Sequence, residues 1–171
     1  LQHELDETSK LVRHDPLTGA PNRKGLNDAL EREISRCQRT GKPLCIALLD
    51  VDNFKLLNDT LGHSAGDGAL LHLARVVHDT VRPNDSVARY GGEELVLVLP
   101  ATPREMGVSV IQRLQRELTR RFFLHDNKKV LITFSAGVSQ LAENEPPQKA
   151  IDRADEAMYR AKRAGKNRVF E

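Results

Sequence analysis

The chain has 171 residues, and 26 Lys+Arg against 24 Asp+Glu leave it at +2. A chain of this length makes one domain and can bury about 70% of its unfolded surface, so it needs neither disulfides nor a metal to fold. With 39% hydrophobic residues, 4% aromatics, no Trp and almost no net charge, it is neither disordered nor equipped with the basic field or stacking platform of a nucleic-acid binder.

The first residues are polar and carry no Met, so they do not form a signal peptide and the sequence reads as a piece of a longer chain. Leu1, Leu5, Thr8 and Val12 share one helical face, and residues 1–14 are expected to end a stalk helix, leaving 15–171 as the domain. Asp15-Pro16, Thr18-Gly19 and Pro21-Asn22 make a turn-rich connector. Leu26, Leu30, Ile34 and Cys37 then predict an amphipathic helix over 24–39. Residues 44–49 are continuously apolar, as in a strand buried on both faces, and no apolar run approaches the ~20 residues of a membrane helix. A helix is expected to begin at Asn53-Phe54-Lys55, and another to run over 65–81. Residues 87–90 and 93–99 read as two strands joined by a two-residue Gly91-Gly92 turn. A helix around Met106–Leu118, a strand over 130–138, a helix over 150–161 and a short strand at Arg168-Val169-Phe170 complete the chain. The fold class is therefore α/β (α+β), with a mixed sheet of about five strands wrapped by helices. Cys37 and Cys45 make no disulfide framework and no CxxC pair, and a reducing, cytoplasmic setting is the default.

Asp50 and Asp52 leave the end of an apolar strand with their carboxylates on one side, as hard cations such as Mg²⁺ require. The free amides of a helix starting at Asn53, Phe54 and Lys55 suit phosphate. An equally good reading has Asp52 or Asn53 simply capping that helix. Glu93 and Glu94 are two adjacent carboxylates before an apolar strand, where repulsion brings no structural gain, and glycines 91 and 92 allow close approach of a ligand.

These segments, Asp50-Val51-Asp52-Asn53-Phe54-Lys55, Asn58-Asp59, Gly62-His63, Gly66-Asp67 and Arg89-Tyr90-Gly91-Gly92-Glu93-Glu94-Leu95, together resemble the GGDEF family of diguanylate cyclases. The resemblance runs from Asp15-Pro16-Leu17-Thr18-Gly19 with Asn22-Arg23 to Ala161-Lys162-Arg163-Ala164-Gly165-Lys166-Asn167-Arg168. It implies a fold akin to nucleotidyl cyclases and the polymerase palm, and the joining of two GTP molecules into cyclic di-GMP with release of two pyrophosphates. It further implies that Asp50, Glu93 and the Val51 carbonyl hold Mg²⁺, or Mn²⁺, which accepts the same oxygens, and that Glu94 contacts metal or accepts the 3′-hydroxyl proton. By the same resemblance Lys55, Lys162 and Lys166 meet phosphates, and Asn58 and Asp67 read guanine. Arg82 and Asp85 of an RxxD motif, with Arg113, form an inhibitory site for cyclic di-GMP. The resemblance also implies a homodimer driven by a sensory region in a parent protein, with the region before residue 1 as the place for any membrane tether. Three positions depart from the family pattern: Leu95 stands for a Phe and Ala20 for a Leu, both expected to be packing positions, and Glu93 for an Asp. A competing reading is a silent receptor domain for GTP or cyclic di-GMP.

Overall fold

The structure, a computed structural model, describes residues 12–171. The stalk expected from Leu1, Leu5 and Thr8 lies outside the described residues; Val12 and Arg13 are helical, and His14 bridges Pro21 across the connector.

Five helices and seven strands follow in the order α1 (Arg23–Thr40), β1 (Leu44–Val51), α2 (Phe54–Leu61), α3 (His63–Thr80), β2 (Ser86–Arg89), β3 (Glu94–Pro100), α4 (Arg104–Arg120), β4 (Phe123–His125), β5 (Lys128–Val130), β6 (Phe134–Gln140), α5 (Pro147–Arg163) and β7 (Val169–Phe170). The main sheet has the order β2-β3-β1-β6-β7, antiparallel except for the parallel pair β6–β7.

All eight residues of β1 are buried because the strand is central and covered on both faces. Its odd-numbered residues Cys45, Ala47, Leu49 and Val51 pack with Leu70, Leu73 and Val77 of α3 and Ile111 and Leu114 of α4. The even-numbered Leu44, Ile46 and Leu48 pack on the other side with Leu26 and Leu30 of α1 and Ala154 and Met158 of α5. A strand's period of two thus divides the core into two layers. Cys37 and Cys45 fall in different layers, both as free thiols, and burial pushes the Cys45 thiol up to about 12. Among the described residues no helix is long and apolar enough to cross a membrane.

Asn22 caps α1 by accepting from the Gly25 amide at 3.1 Å, and Gly41 closes it at φ +68°. α5 lies closest to the sheet at Gly137, where an added Cβ would stand 1.9 Å from the Ala154 carbonyl oxygen.

Two expectations need correction. The strand predicted over 130–138 is divided: β5 ends at Val130 and β6 begins at Phe134. Between them Thr133 leaves the ladder, its carbonyl accepting from the Asp52 amide at 2.9 Å and its hydroxyl donating to Asp52 Oδ2 at 2.8 Å. β5 instead pairs with β4 through a turn in which Asp126 and Asn127 both have positive φ, 50° and 64°. The Gly-Gly turn is also longer than two residues. β2 and β3 stay in register to Arg89↔Leu95, and the Tyr90 amide still donates to the Glu94 carbonyl at 2.9 Å, so the loop is Gly91-Gly92-Glu93. Neither glycine has the positive φ that a two-residue turn would need.

Candidate active site

The acidic residues gather where β1 ends. Asp50 is the register partner of Glu94 on β3 and of Ser135 on β6, which puts the Asp50 and Glu94 side chains on the α5 face of the sheet. Glu93 sits in the loop before β3, fixed by a hydrogen bond from the Val51 amide to its carbonyl at 3.2 Å. Asp50 is 7% exposed. Its Oδ1 is buried, and its one close partner is the Lys162 Nζ, 2.8 Å away in an ion pair.

Burial foremost raises the Asp50 pKa, with Glu93 and Asp52 adding to it and Lys162 opposing. Burial likewise raises Glu94, helped by Asp50, Asp155 and Glu93 and opposed by Arg23. A buried carboxylate crowded by like charges, with an ammonium as its one close partner, suits a cation. No three His, Cys, Asp or Glu side chains among the described residues form a metal cage, so a cation here would complete its shell with the Val51 carbonyl, water and phosphate oxygens.

The sign of the Glu94 shift gives a stability prediction. A carboxyl raised by folding favours the native state below its unfolded pKa, and that contribution is lost as pH rises through the folded value. In the metal-free protein Glu94→Gln should therefore raise the melting temperature at pH 7, and the gain should vanish below about pH 4. Melts across that range check it; an equal gain at every pH would mean that the charge is not the cause.

Asp52 faces this site but does not share the Asp50 environment. Its Oδ1 accepts from Ser135 at 2.6 Å, and its Oδ2 accepts from the Thr133 hydroxyl and from the Asn167 amide at 2.9 Å. Those bonds tie β1, β6 and the α5–β7 loop together, so Asp52 is a structural knot and caps nothing. Asn53, at φ +56°, precedes α2 without a side-chain cap, and its Oδ1 accepts from Lys166 Nζ. The first amides of α2, including those of Phe54 and Lys55, thus lack the side-chain partner that usually fills this place. Phe54 is half-buried against the core, and Lys55 is exposed.

Asn58 and Asp67 lie on neighbouring helices. Asn58 Oδ1 is buried without a hydrogen-bond partner, pressed against Gly66, where a Cβ would lie 1.8 Å from it. Asp67 is exposed one residue further along α3. Arg82 and Asp85 meet at the far end of the sheet, where Leu44 pairs with Pro100, six β1 residues and roughly 20 Å from Asp50. Arg82 donates to Asp85 Oδ1 at 3.2 Å, the Pro100 carbonyl at 3.1 Å and the Thr102 hydroxyl at 2.6 Å, and Arg113 donates to the Thr80 carbonyl at 3.2 Å.

The structure also brings in residues that sequence reasoning missed. Arg89 Nη1 is 2.9 Å from Asp15 Oδ1, while its Nη2 donates to the Gly92 carbonyl at 2.8 Å and its Nε to the Gly91 carbonyl at 3.3 Å. Burial works to raise the Asp15 carboxyl, but hydrogen bonds from Thr18 and Arg89 outweigh it and hold the group below its usual value. Arg23 donates to the Tyr90 carbonyl at 2.8 Å and stacks 3.9 Å over its ring. A cleft of about 410 Å³ opens between this connector and the hairpin, lined by Arg23, Lys24, Arg89, Tyr90, Gly91 and Gly92. The only sequence signal for the arrangement was the Asp15-Pro16 turn.

An acidic strand end thus lies beside a glycine hairpin, with Lys162 in the last turn of a facing helix and the start of α2 without a side-chain cap. The model of the diguanylate cyclase GGDEF domain matches residues 12–168, and the chain belongs to that family. It is 42% identical to diguanylate cyclase DgcP of Pseudomonas aeruginosa over 98% of its own length and 25% of that protein's. It is 36% identical to the response regulator PleD of Caulobacter vibrioides over 99% of its length and 38% of that protein's. The chain therefore spans about a quarter to two fifths of these relatives. Among solved structures, the coiled coil and GGDEF domain of DgcB from Caulobacter crescentus, in complex with c-di-GMP, superimposes with a TM-score of 0.91 at 30% identity, covering 99% of this chain and 90% of that one.

Proposed function

We propose that this chain condenses two GTP molecules into cyclic di-GMP and two pyrophosphates, each of two copies presenting one GTP across a two-fold axis. The observation that carries this reading is the Asp50–Glu94 register pair, with Asp50 Oδ1 buried against the Lys162 ammonium at 2.8 Å. Asp50, Glu93 and the Val51 carbonyl are the groups to hold Mg²⁺ or Mn²⁺, with Glu94 beside them. Bound metal would supply charge neutralisation at the α-phosphate and the departing pyrophosphate.

The chain's own groups do the rest. Asn53, Phe54 and Lys55 receive phosphate oxygens at the uncapped start of α2, and Lys162 and Lys166 add positive charge from the end of α5. Asn58 and Asp67 read the guanine edge, where a carboxylate accepts from donors that adenine lacks. Glu94, its proton affinity raised by burial and its acidic neighbours, is suited to take the proton of the attacking 3′-hydroxyl or to contact metal. Residues 1–14 join the domain to a stalk and sensory region of a longer protein, which sets dimer geometry and carries any membrane tether.

The test is product analysis with GTP and Mg²⁺ over a range of protein concentrations, beside Glu93→Ala. Cyclic di-GMP from the native chain alone, with specific activity rising with concentration, is the expected result. Retention of GTP or cyclic di-GMP without turnover at any concentration would move the reading to a receptor domain.

Product feedback through Arg82, Asp85 and Arg113 is part of the proposal. The Asp85 side chain is 1% exposed beneath Arg82, whose own side chain is 47% exposed, so a ligand reaching Asp85 must first turn Arg82 outward. Arg82→Ala should leave synthesis uninhibited by added cyclic di-GMP, measured as initial rates with and without product; undiminished inhibition would refute this site.

A further inference from the structure

The site already contains a cation. Lys162, in the last turn of α5, extends its Nζ to 2.8 Å from Asp50 Oδ1, 3.7 Å from Asp52 Oδ1 and 3.5 Å from the Val51 carbonyl oxygen. A carboxylate oxygen and a main-chain carbonyl from the same strand end are the donors a hard divalent ion uses, and here they surround an ammonium. The Lys162 side chain is 24% exposed and reaches the site from a helix held tightly on the sheet, so it is no solvent-swept surface lysine. Its other neighbour, Asp52, is already satisfied by three hydrogen bonds, and this leaves Asp50 as the oxygen that needs the charge. Lys166, four residues on, is turned toward Asn53 and does not compete for the same place.

An ammonium and a divalent ion cannot share one carboxylate oxygen at contact distance without strong repulsion. We propose that Lys162 is a stand-in cation: in the nucleotide-free protein it fills the place between Asp50 and the Val51 carbonyl, and divalent metal gains that place only when a triphosphate draws the ammonium away. The role rests on the reading of Asp50 and Val51 as metal-binding groups. It makes Lys162 a positioning residue that orders metal loading after nucleotide arrival. The lysine moves between two sets of negative oxygens, carboxylate and phosphate, and no covalent step is involved.

The experiment is titration of the nucleotide-free 171-residue chain with Mn²⁺ alone, following free Mn²⁺ by electron paramagnetic resonance. The native chain, Lys162→Met, Lys162→Gln and the double variant Lys162→Met/Asp50→Asn are compared, with circular dichroism to select folded variants. The expected result is at least tenfold tighter Mn²⁺ binding in either Lys162 variant than in the native chain, and loss of that gain when Asp50 is also replaced. A lysine that only supports the fold would not raise metal affinity. Native and Lys162-substituted chains binding Mn²⁺ equally well, with the double variant binding more weakly than Lys162→Met, would overturn the stand-in role and leave the metal assignment intact. Mn²⁺ binding that ignores Asp50, or none in any variant, would overturn the metal assignment and the stand-in role with it.

Discussion

Asp50→Asn should reduce cyclic di-GMP formation by about three orders of magnitude, while the stability of the fold changes by no more than about 1 kcal/mol. The two expectations separate because opposing effects act on the carboxylate when no ligand is present. Burial and the acidic neighbours Glu93 and Asp52 disfavour its charge, while the Lys162 ion pair at 2.8 Å favours it. Asn keeps the shape and removes the like-charge cost, and Lys162 retains Asp52 at 3.7 Å and the Val51 carbonyl at 3.5 Å. In the proposed metal-binding role, loss of the Asp50 charge forfeits several kcal/mol of transition-state stabilisation, at about 1.4 kcal/mol per decade of rate. Initial rates of product release and thermal melts on the same preparation measure both quantities. Activity within tenfold of the native chain would place the chemistry elsewhere.

Gly137→Ala should be the most damaging single methyl group in the described core. The added Cβ would lie 1.9 Å from the Ala154 carbonyl oxygen and 2.5 Å from the Met158 amide nitrogen, both main-chain atoms of α5. Neither can rotate away, so the helix must lift from β6 and open the layer holding Ala154 and Met158. Overpacking of this severity lies at the upper end of the usual range, about 3 kcal/mol. For a chain of this size that corresponds to a fall of roughly 6–12 °C in the melting temperature. The same displacement would carry Lys162 away from Asp50, so binding at the acidic site should weaken together with stability. A change below about 2 °C would show that α5 yields without cost.

Much of the sheet was legible because its strongest signals are local. The continuous apolar run of β1 and the three-and-four spacing in α1, α3, α4 and α5 recover elements whose ends differ from the expected ones by a few residues. The identification of Leu95 as a packing position also agrees with its complete burial. The β4–β5 hairpin was invisible because its strands are three residues each and β5 carries Lys128 and Lys129, two charged residues with no apolar alternation. The break before Phe134 is set by Asp52, 81 residues from Thr133, which offers that residue a better partner than a neighbouring strand does.

For the site, motif spacing nominated Asp50, Glu93, Glu94 and Lys162. It could not show that Lys162 lies against Asp50, because nothing local links two residues on β1 and α5. Strand periodicity put Asp50 and Asp52 on one side, and only the family resemblance singled out Asp50. The two carboxylates share a strand end and differ only in what the folded chain offers each of them.

The Arg89 guanidinium joins the place where the chain enters the domain to the loop that carries Glu93. It grips Asp15 on one side and the carbonyls of Gly91 and Gly92 on the other, and the Arg89 amide donates to the Pro21 carbonyl at 2.8 Å. The connector at Asp15 and the loop before β3 are therefore tied through one guanidinium, so neither can shift without breaking or carrying along the bonds that hold the other.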